Sequence, residues 1–292
     1  MPPQSGHDPS ARATPVSILR ATAAGLSAHG DSLATEEPLE IRLGYEKRGG
    51  VRVSRVVSVT MRTPGNDAEL AAGFLFGEGL IHERSQVLGI APDGANAIRV
   101  DLADGVEVDL RSLERNFYTT SSCGVCGKSS IEALGIARPV MLPADGPVMD
   151  FRTVMGLPDM LRERQAVFER TGGLHGAALF EADGRLISVR EDVGRHNAVD
   201  KVIGERFLAG GTPLSHAALV VSGRASFELM QKALVAGIPI LVAVGAPSSL
   251  AVGVARQFGA TLLGFVRDGR INVYSGAHRL REAVPISPTS RV

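Results

Sequence analysis

Cysteine, aromatic side chains and excess charge of either sign are all scarce in this chain. Its 292 residues include two cysteines and no tryptophan, and Phe, Tyr and Trp together make up 4%. Two thiols cannot build a disulfide framework. A structural zinc site needs four ligands, usually a second pair at similar spacing. Only one pair exists here, and the seven histidines form no H-x3-5-H pattern. Zinc therefore remains only as a set in which His175 and His196 converge on the thiols. The zinc deaminase pattern, H-x-E followed by P-C-x-x-C, is also missing: His175 is followed by Gly176-Ala177, and Ser121-Ser122 precede Cys123. There is no G-x-x-x-x-G-K-[ST] and no G-x-G-x-x-G, which excludes a P-loop and a standard dinucleotide fingerprint.

Charge is balanced, with 31 Lys plus Arg against 31 Asp plus Glu. A general polyanion binder carries a basic excess, so nucleic acid is not an expected partner. A compact anion held by a local arginine cluster is compatible with neutrality. The opening "MPPQSGHDPSARATPVS" has Pro, Asp and Arg where an apolar signal core would stand, which leads us to expect a cytoplasmic protein with reduced thiols. Residues 233 to 255 carry no charge and are long enough to span a bilayer. Pro239, Pro247, Ser248 and Ser249 break that stretch into strand, turn and helix, so it reads as buried core and no membrane is expected.

The chain divides into parts of different rhythm. Residues 1 to 35, rich in Pro, Ser, Ala and Gly, read as a mobile tail. Residues 36 to 120 read as a small α+β domain. It has a hairpin around Gly49-Gly50, a helix over "NDAELAAGFLFGEGLI" with Asn66 or Asp67 as N-cap, and a second hairpin around Asp104-Gly105. Residues 121 to 130 form a loop carrying both cysteines. In residues 131 to 292, strands alternate with helices of 10 to 15 residues. The sequence therefore predicts an α/β (α+β overall) protein whose C-terminal half is a layered α/β domain with part of its sheet parallel. Ligands of such a sheet bind at strand ends and helix N-termini.

The cysteine loop, "SSCGVCGKSS", sets Cys123 and Cys126 among Gly124, Gly127 and Ser, with Lys128 close enough to favour a thiolate. A helix is expected only afterwards, from Ser129 or Ser130. An activated thiol in a Gly/Ser loop suits receiving and delivering an atom better than fixed metal coordination. The plain alternative is a pair of unreactive surface thiols.

Anion-binding candidates cluster at the predicted strand-helix junctions. Arg195 opens the helix of "EDVGRHNAVDKVIG", where Arg and free backbone amides suit a phosphate. His196 with Asp200, and Asn197 with Lys201, are four apart, and the plain reading of them is a solvated face. "TGGLHG" adds a glycine turn at His175. Ser222, Gly223 and Arg224 lie between an apolar strand and a helix starting at Ser226. In "GFVRDGRIN", Arg267 and Arg270 flank the Asp268-Gly269 turn and could clamp a diphosphate or stack on a purine, or simply form a solvated hairpin tip.

These segments together, from "MRTPGNDAELAAGFLFGEGLI" through "SSCGVCGKSSIEAL", "TGGLHGAAL", "EDVGRHNAVDKVIG" and "SGRASFELMQKALVAGIPIL" to "APSSLAVGVARQFGATLLGFVRDGRINVYS", resemble the formate dehydrogenase accessory sulfurtransferase family. The resemblance runs from about residue 35 to 280 in order. It implies a sulfurtransferase that takes persulfide sulfur from a cysteine desulfurase and passes it to the molybdenum cofactor, as bis-molybdopterin guanine dinucleotide, for formate dehydrogenase. Guanine nucleotides would then occupy the same site. It also implies a C-terminal domain similar to cytidine deaminases and a homodimer. Carried over by position, Cys123 is the persulfide carrier and Cys126 its relay or shield. Phe265, Val266, Arg267, Asp268, Gly269 and Arg270 are cofactor contacts, with His175, Arg195, His196, Ser222 and Arg224 as further pocket residues.

Overall fold

The structure, a computed structural model, describes residues 12–47, 49–108 and 139–282. Cys123, Cys126 and the helix expected after them lie outside the described residues. So do residues 1–11 of the expected tail.

The described chain opens as a two-stranded ribbon. β1 (Ala13–Thr22) and β2 (Gly25–Ala34) pair antiparallel from Ala13↔Ala34 to Thr22↔Gly25. This corrects the tail expectation for residues 13 to 34. The ribbon escaped sequence reading because it buries no residue completely, so selection for an apolar face leaves no alternation to read. Its base is tied down where Thr35 N donates to Arg12 O (3.1 Å) and Arg12 Nη2 donates to Glu191 O (3.0 Å).

β3 (Glu37–Lys47) and β4 (Val51–Arg62) form the expected hairpin around Gly49 and Gly50, both at positive φ. β3 also pairs parallel with β6 (Ala97–Leu102), and β6 pairs antiparallel with β5 (Val87–Pro92), giving the order β4-β3-β6-β5. Residues 106–108 are not strand, so the hairpin predicted around Asp104-Gly105 is corrected. β6 satisfies its backbone on both sides with β3 and β5, which leaves no edge for a following arm. α1 (Asp67–Gly77) lies between β4 and β5 in the chain and buries Leu70, Ala71, Ala72, Leu75 and Phe76. Asn66 holds its cap position in the left-handed region, φ 61°, without a side-chain cap bond.

The second half builds a six-stranded sheet. β7 (Met149–Asp150) leads into α2 (Phe151–Glu163), whose first turn is capped by Asp150 accepting from Arg152 N, and α3 (Ala166–Thr171) follows. β8 (His175–Glu181) and β9 (Leu186–Asp192) form a hairpin, followed by α4 (Arg195–Leu208), β10 (Ala217–Val221) and α5 (Phe227–Val235). β11 (Ile240–Ala243), α6 (Ser249–Gln257), β12 (Thr261–Arg267) and β13 (Arg270–Ser275) complete it, and β14 (Leu280–Arg281) returns to β7. The order is β13-β12-β11-β10-β8-β9, with β10, β11 and β12 parallel, so part of the sheet is parallel as expected. Residues 233–255 become the end of α5, β11 and the start of α6. Among the described residues no helix is long and apolar enough to cross a membrane.

Strand alternation assigns two apolar faces. Ala178, Phe180, Ala218, Val220, Ile240 and Val242 pack under α2 through Val154, Leu157 and Leu161. Their neighbours Ala177, Leu179, Ala217, Leu219, Leu241 and Ala243 point the other way, into the core formed with α4, α5 and α6. That second core is continuous with α1 and with Leu39, Ile41, Leu43 and Val100 of the four-stranded sheet. The two sheets thus close over one hydrophobic interior.

α1 and α4 cross inside that interior at backbone contact. A Cβ built on Gly73 would collide with Asp200 O, and one on Gly204 with Glu69 O. Arg190 braces the crossing, its Nη2 2.8 Å from Glu69 Oε1. Asp200 and Lys201 of α4 are buried, which corrects the reading of this helix side as solvated i,i+4 pairs. Asp200 pairs instead with Lys232 (2.7 Å) and Lys201 with Asp192 (2.7 Å), because the strands and helices on both sides leave α4 no water-facing side there.

Alanine favours an exposed helix interior over glycine by about 1 kcal/mol. At Gly73 and Gly204 the sign reverses, and Gly73→Ala or Gly204→Ala is expected to destabilise the fold by about 1–3 kcal/mol, the usual range for overpacking. Gly156→Ala in α2, where a Cβ meets nothing within 4 Å, is expected to be neutral or stabilising. Urea denaturation of the three variants checks the contrast.

Candidate functional site

Because β10, β11 and β12 run parallel, their carboxyl ends share one edge of the sheet. β8 runs the opposite way and places its first residue, His175, at that edge beside Asp192, the last residue of β9. Helices α4, α5 and α6 all start from it. This is the location that an open α/β sheet reserves for ligands.

A cavity of about 1000 Å³ opens between this edge and α2–α3. From the sheet it is lined by His175, Ser222, Val244, Arg267, Asp268 and Gly269. From the helices it is lined by Arg162, Gln165 and Phe168, together with apolar Met155, Pro158 and Leu161. The Arg162 guanidinium lies 3.9 Å from the Phe168 ring centre, a flat cation–π stack in the wall.

The strand-end residues are held by local backbone geometry. Ser222 Oγ accepts from Gly176 N (2.9 Å) while Ser222 N donates to Gly176 O (3.0 Å). With that lone pair used, the hydroxyl proton is free to donate to a ligand oxygen. Gly223 supports His175: a Cβ at 223 would stand 3.4 Å from the imidazole Nδ1. Asp268 and Gly269 both take positive φ, 54° and 71°, the pairing a two-residue hairpin turn requires. The turn carries Arg267 and Arg270 past the sheet edge, paired in register.

Five residues singled out from the sequence therefore meet at one cavity: His175, Ser222, Arg267, Asp268 and Gly269. Others do not line it. Val266 is fully buried in the core under α2. Its side chain packs there and does not line the cavity, because the alternation that turns Arg267 outward turns its neighbour inward. Phe265 adopts φ 51°, rare for a bulky residue, at a bulge where its N donates to Gly245 O (3.1 Å). It stands behind Arg267, whose guanidinium is 5.9 Å from the Phe265 ring centre.

Arg195, His196, Arg224 and Arg270 also lie off the cavity lining. Arg195 begins α4 with its Nε buried and unpartnered. His196 faces α5, its Nε2 3.4 Å from Ser226 Oγ and 3.9 Å from Glu228 Oε2. Arg224 is exposed on the turn between β10 and α5. Sequence reasoning missed Arg162, Gln165 and Phe168 because it placed no helices over 151–171. The signal was present, in Val154, Leu157 and Leu161 at helical spacing behind Asp150, but Pro158 inside the helix obscured it. Among the described residues no three His, Cys, Asp or Glu side chains are placed to hold a metal ion.

Burial lowers the His175 pKa from its ordinary 6.5. The positive charges of Arg195 and His196 push it further down, and Asp192 opposes them. At neutral pH this imidazole is uncharged, able to donate at one nitrogen and accept at the other.

The fold and site define an α/β protein with an arginine-bearing, partly apolar cavity at the carboxyl edge of its main sheet. Comparison with known proteins gives the family: the FdhD/NarQ family model matches residues 34–281, and the chain belongs to that family. A relative from Streptomyces avermitilis named "Sulfur carrier protein FdhD" is 48% identical over 273 residues, spanning 90% of this chain and 94% of its own. One of the same name from Mycobacterium tuberculosis is 49% identical over 262 residues, spanning 86% and 92%. A crystal structure from Desulfotalea psychrophila, described as a candidate formate dehydrogenase accessory protein, matches with a TM-score of 0.71 at 26% identity. The match covers 93% of this chain and 100% of that one.

A depressed histidine pKa makes a contribution to stability that is present above the unfolded value and lost as pH falls below it. Proton NMR titration is expected to place His175 below 6.5. His175→Gln is expected to soften the loss of stability as the solution is acidified below that pH.

Proposed function

We propose that this protein is a sulfur carrier serving formate dehydrogenase, which takes sulfur from a cysteine desulfurase as a persulfide on Cys123 and hands it to bis-molybdopterin guanine dinucleotide held in the strand-edge cavity. The observation that carries the reading is the cavity itself. It combines guanidinium groups from Arg162 and Arg267, a free hydroxyl donor at Ser222, a neutral imidazole and a flat apolar wall, as a large cargo with phosphates and aromatic rings requires. The names of relatives near 48% identity over nine-tenths of the chain support the sulfur-carrying part.

In the loading step the Cys123 thiolate attacks the outer sulfur of the donor's persulfide. A new S–S bond forms at Cys123, the donor's S–S bond breaks, and the donor cysteine leaves as a thiolate. Cys126, three residues on, relays or shields the loaded sulfur. At the cavity, Arg162 and Arg267 neutralise phosphate charge, Ser222 donates a hydrogen bond, and His175 offers an uncharged donor or acceptor. Guanine nucleotides should occupy the same place. A homodimer working in the cytoplasm belongs to the same reading, as does a deaminase-like C-terminal half, supported by a central parallel trio of strands joined through helices.

Intact mass after incubation with a cysteine desulfurase and cysteine tests the carrier. Wild type is expected to gain about one sulfur atom, with the gain lost in Cys123→Ala. No gain in wild type with an active desulfurase would reject sulfur transfer and leave a cofactor-binding chaperone whose thiols are incidental.

A further inference from the structure

The ribbon of β1 and β2 lies almost wholly before residue 34, where the match to the family model begins. Every residue from Leu19 to Asp31 is exposed, with Leu19 at 70% and Leu26 at 71%. The face that carries these leucines runs Pro15, Ser17, Leu19 and Ala21 along β1, and takes only Ala, Gly, Ser and Leu from β2. It bears no charge. The register sets each leucine opposite an alanine, Leu19↔Ala28 and Ala21↔Leu26, so the face alternates ridge and hollow. A lone two-stranded hairpin is marginal in water, and further strands or a packed face are what stabilise one. Contiguous apolar surface left open in this way marks a place where another surface docks.

The same chain carries a matching stripe. On the outer face of β4, opposite Pro38, Glu40 and Arg42 of β3, stand Met61, Val59 and Val56, exposed at 48%, 58% and 45%. β4 is the edge of its sheet, with no described strand on its far side. The charges beside the stripe are paired with one another, Arg42 with Glu40 and, at 2.7 Å, with Asp93. The stripe also begins where the ribbon leaves the body: β2 ends at Ala34, β3 opens at Glu37, and Pro38 pairs with Met61 at that end. A two-fold axis beside this point lays the ribbon of each copy across β4 of the other. We infer that β1–β2 is an exchange arm, whose face bearing Leu19 and Leu26 packs on the stripe of Val56, Val59 and Met61 in a second copy of this chain, reciprocally in both directions. Area favours the reciprocal form. With 10 residues in each strand, the arm is about 33 Å long and about 10 Å wide, and one face covers about 330 Å². A single contact then buries about 700 Å² over both copies, the size of a packing contact, whereas two bury about 1,300 Å², within the range of stable interfaces. The inference rests on the proposed homodimer and adds the surface that joins it.

Sedimentation velocity of the full chain, with reductant present so that cysteines cannot link copies, tests this. Wild type is expected to be a dimer. Leu26→Glu on the arm and Val59→Lys on the stripe are each expected to weaken self-association about tenfold or more, as the loss of a buried anchor does. An equimolar mixture of the two is expected to recover dimers. One of its reciprocal contacts sets the new carboxylate against the new ammonium, and the other is wild type on both sides. Thermal melting checks that each variant folds. Should Leu26→Glu not fold, replacing residues 19–28 by Asn-Gly, a two-residue hairpin turn, removes the outer arm and is expected to give monomers. Dimers that persist in any single variant, or a mixture that stays monomeric, would overturn the inference while the wild-type dimer upholds the homodimer reading. A monomeric wild type would overturn both.

Discussion

The carboxylate of Asp192 is the point on which the two sheets and the site depend. It is fully buried at the end of β9. It takes Lys201 Nζ at 2.7 Å, Gly194 N at 2.8 Å, Asn197 Nδ2 at 3.0 Å and Thr63 N at 3.2 Å. Lys201 Nζ also donates to Thr63 O (2.9 Å), and Asn197 Nδ2 to Met61 O (2.7 Å). One anion thereby joins the end of β4, the end of β9 and the first turn of α4. Burial pushes the Lys201 ammonium pKa down, with Asp192 as the main opposing influence. Removing one partner of such a pair costs about 3–5 kcal/mol, because the survivor is left charged in an apolar interior. His175 pairs in register with Asp192, so the clamp also sets the edge on which the cavity is built.

The hydrophobic interior follows the same division of labour. Small residues let α1 and α4 approach to backbone contact, and the strands distribute alternate side chains to two faces. One face is covered by α4, α5 and α6 and merges with the first sheet. The other is covered by α2, whose end and the following α3 form the far wall of the cavity. The cavity is therefore a gap between a rigid sheet edge and a helical corner, and both polar and apolar lining come from well-packed elements.

Much of this architecture was legible because local signals agreed with tertiary packing. β3–β4 and β12–β13 were legible from their Gly49-Gly50 and Asp268-Gly269 turns. α4, α5 and α6 stand where they were expected, and Ser248 caps α6 with its Oγ accepting from Ala251 N (3.2 Å). The parallel trio followed from strand-helix alternation. What failed had physical causes. β1–β2 is held by backbone pairing with little burial, α2 carries an internal proline, and β6 takes partners distant in sequence in place of the adjacent arm. Of the site, the strand-end turns were readable as turns. The helix wall with Gln165 was not, because Pro158 obscured the helix before it. Arg195, His196 and Arg224 were grouped with the cavity because strand ends and helix starts share one edge. The fold puts the cavity on the α2 side of that edge and these side chains elsewhere.

The central claim is that the space between the strand edge and α2–α3 receives the nucleotide-bearing cargo. Photo-crosslinking with an azidoguanine diphosphate, followed by peptide mapping, tests it most directly. The account predicts adducts within α2–α3 or on the Arg267–Arg270 turn, suppressed by excess GDP. Adducts confined to the starts of α4 and α5, around Arg195, His196 and Arg224, would contradict it.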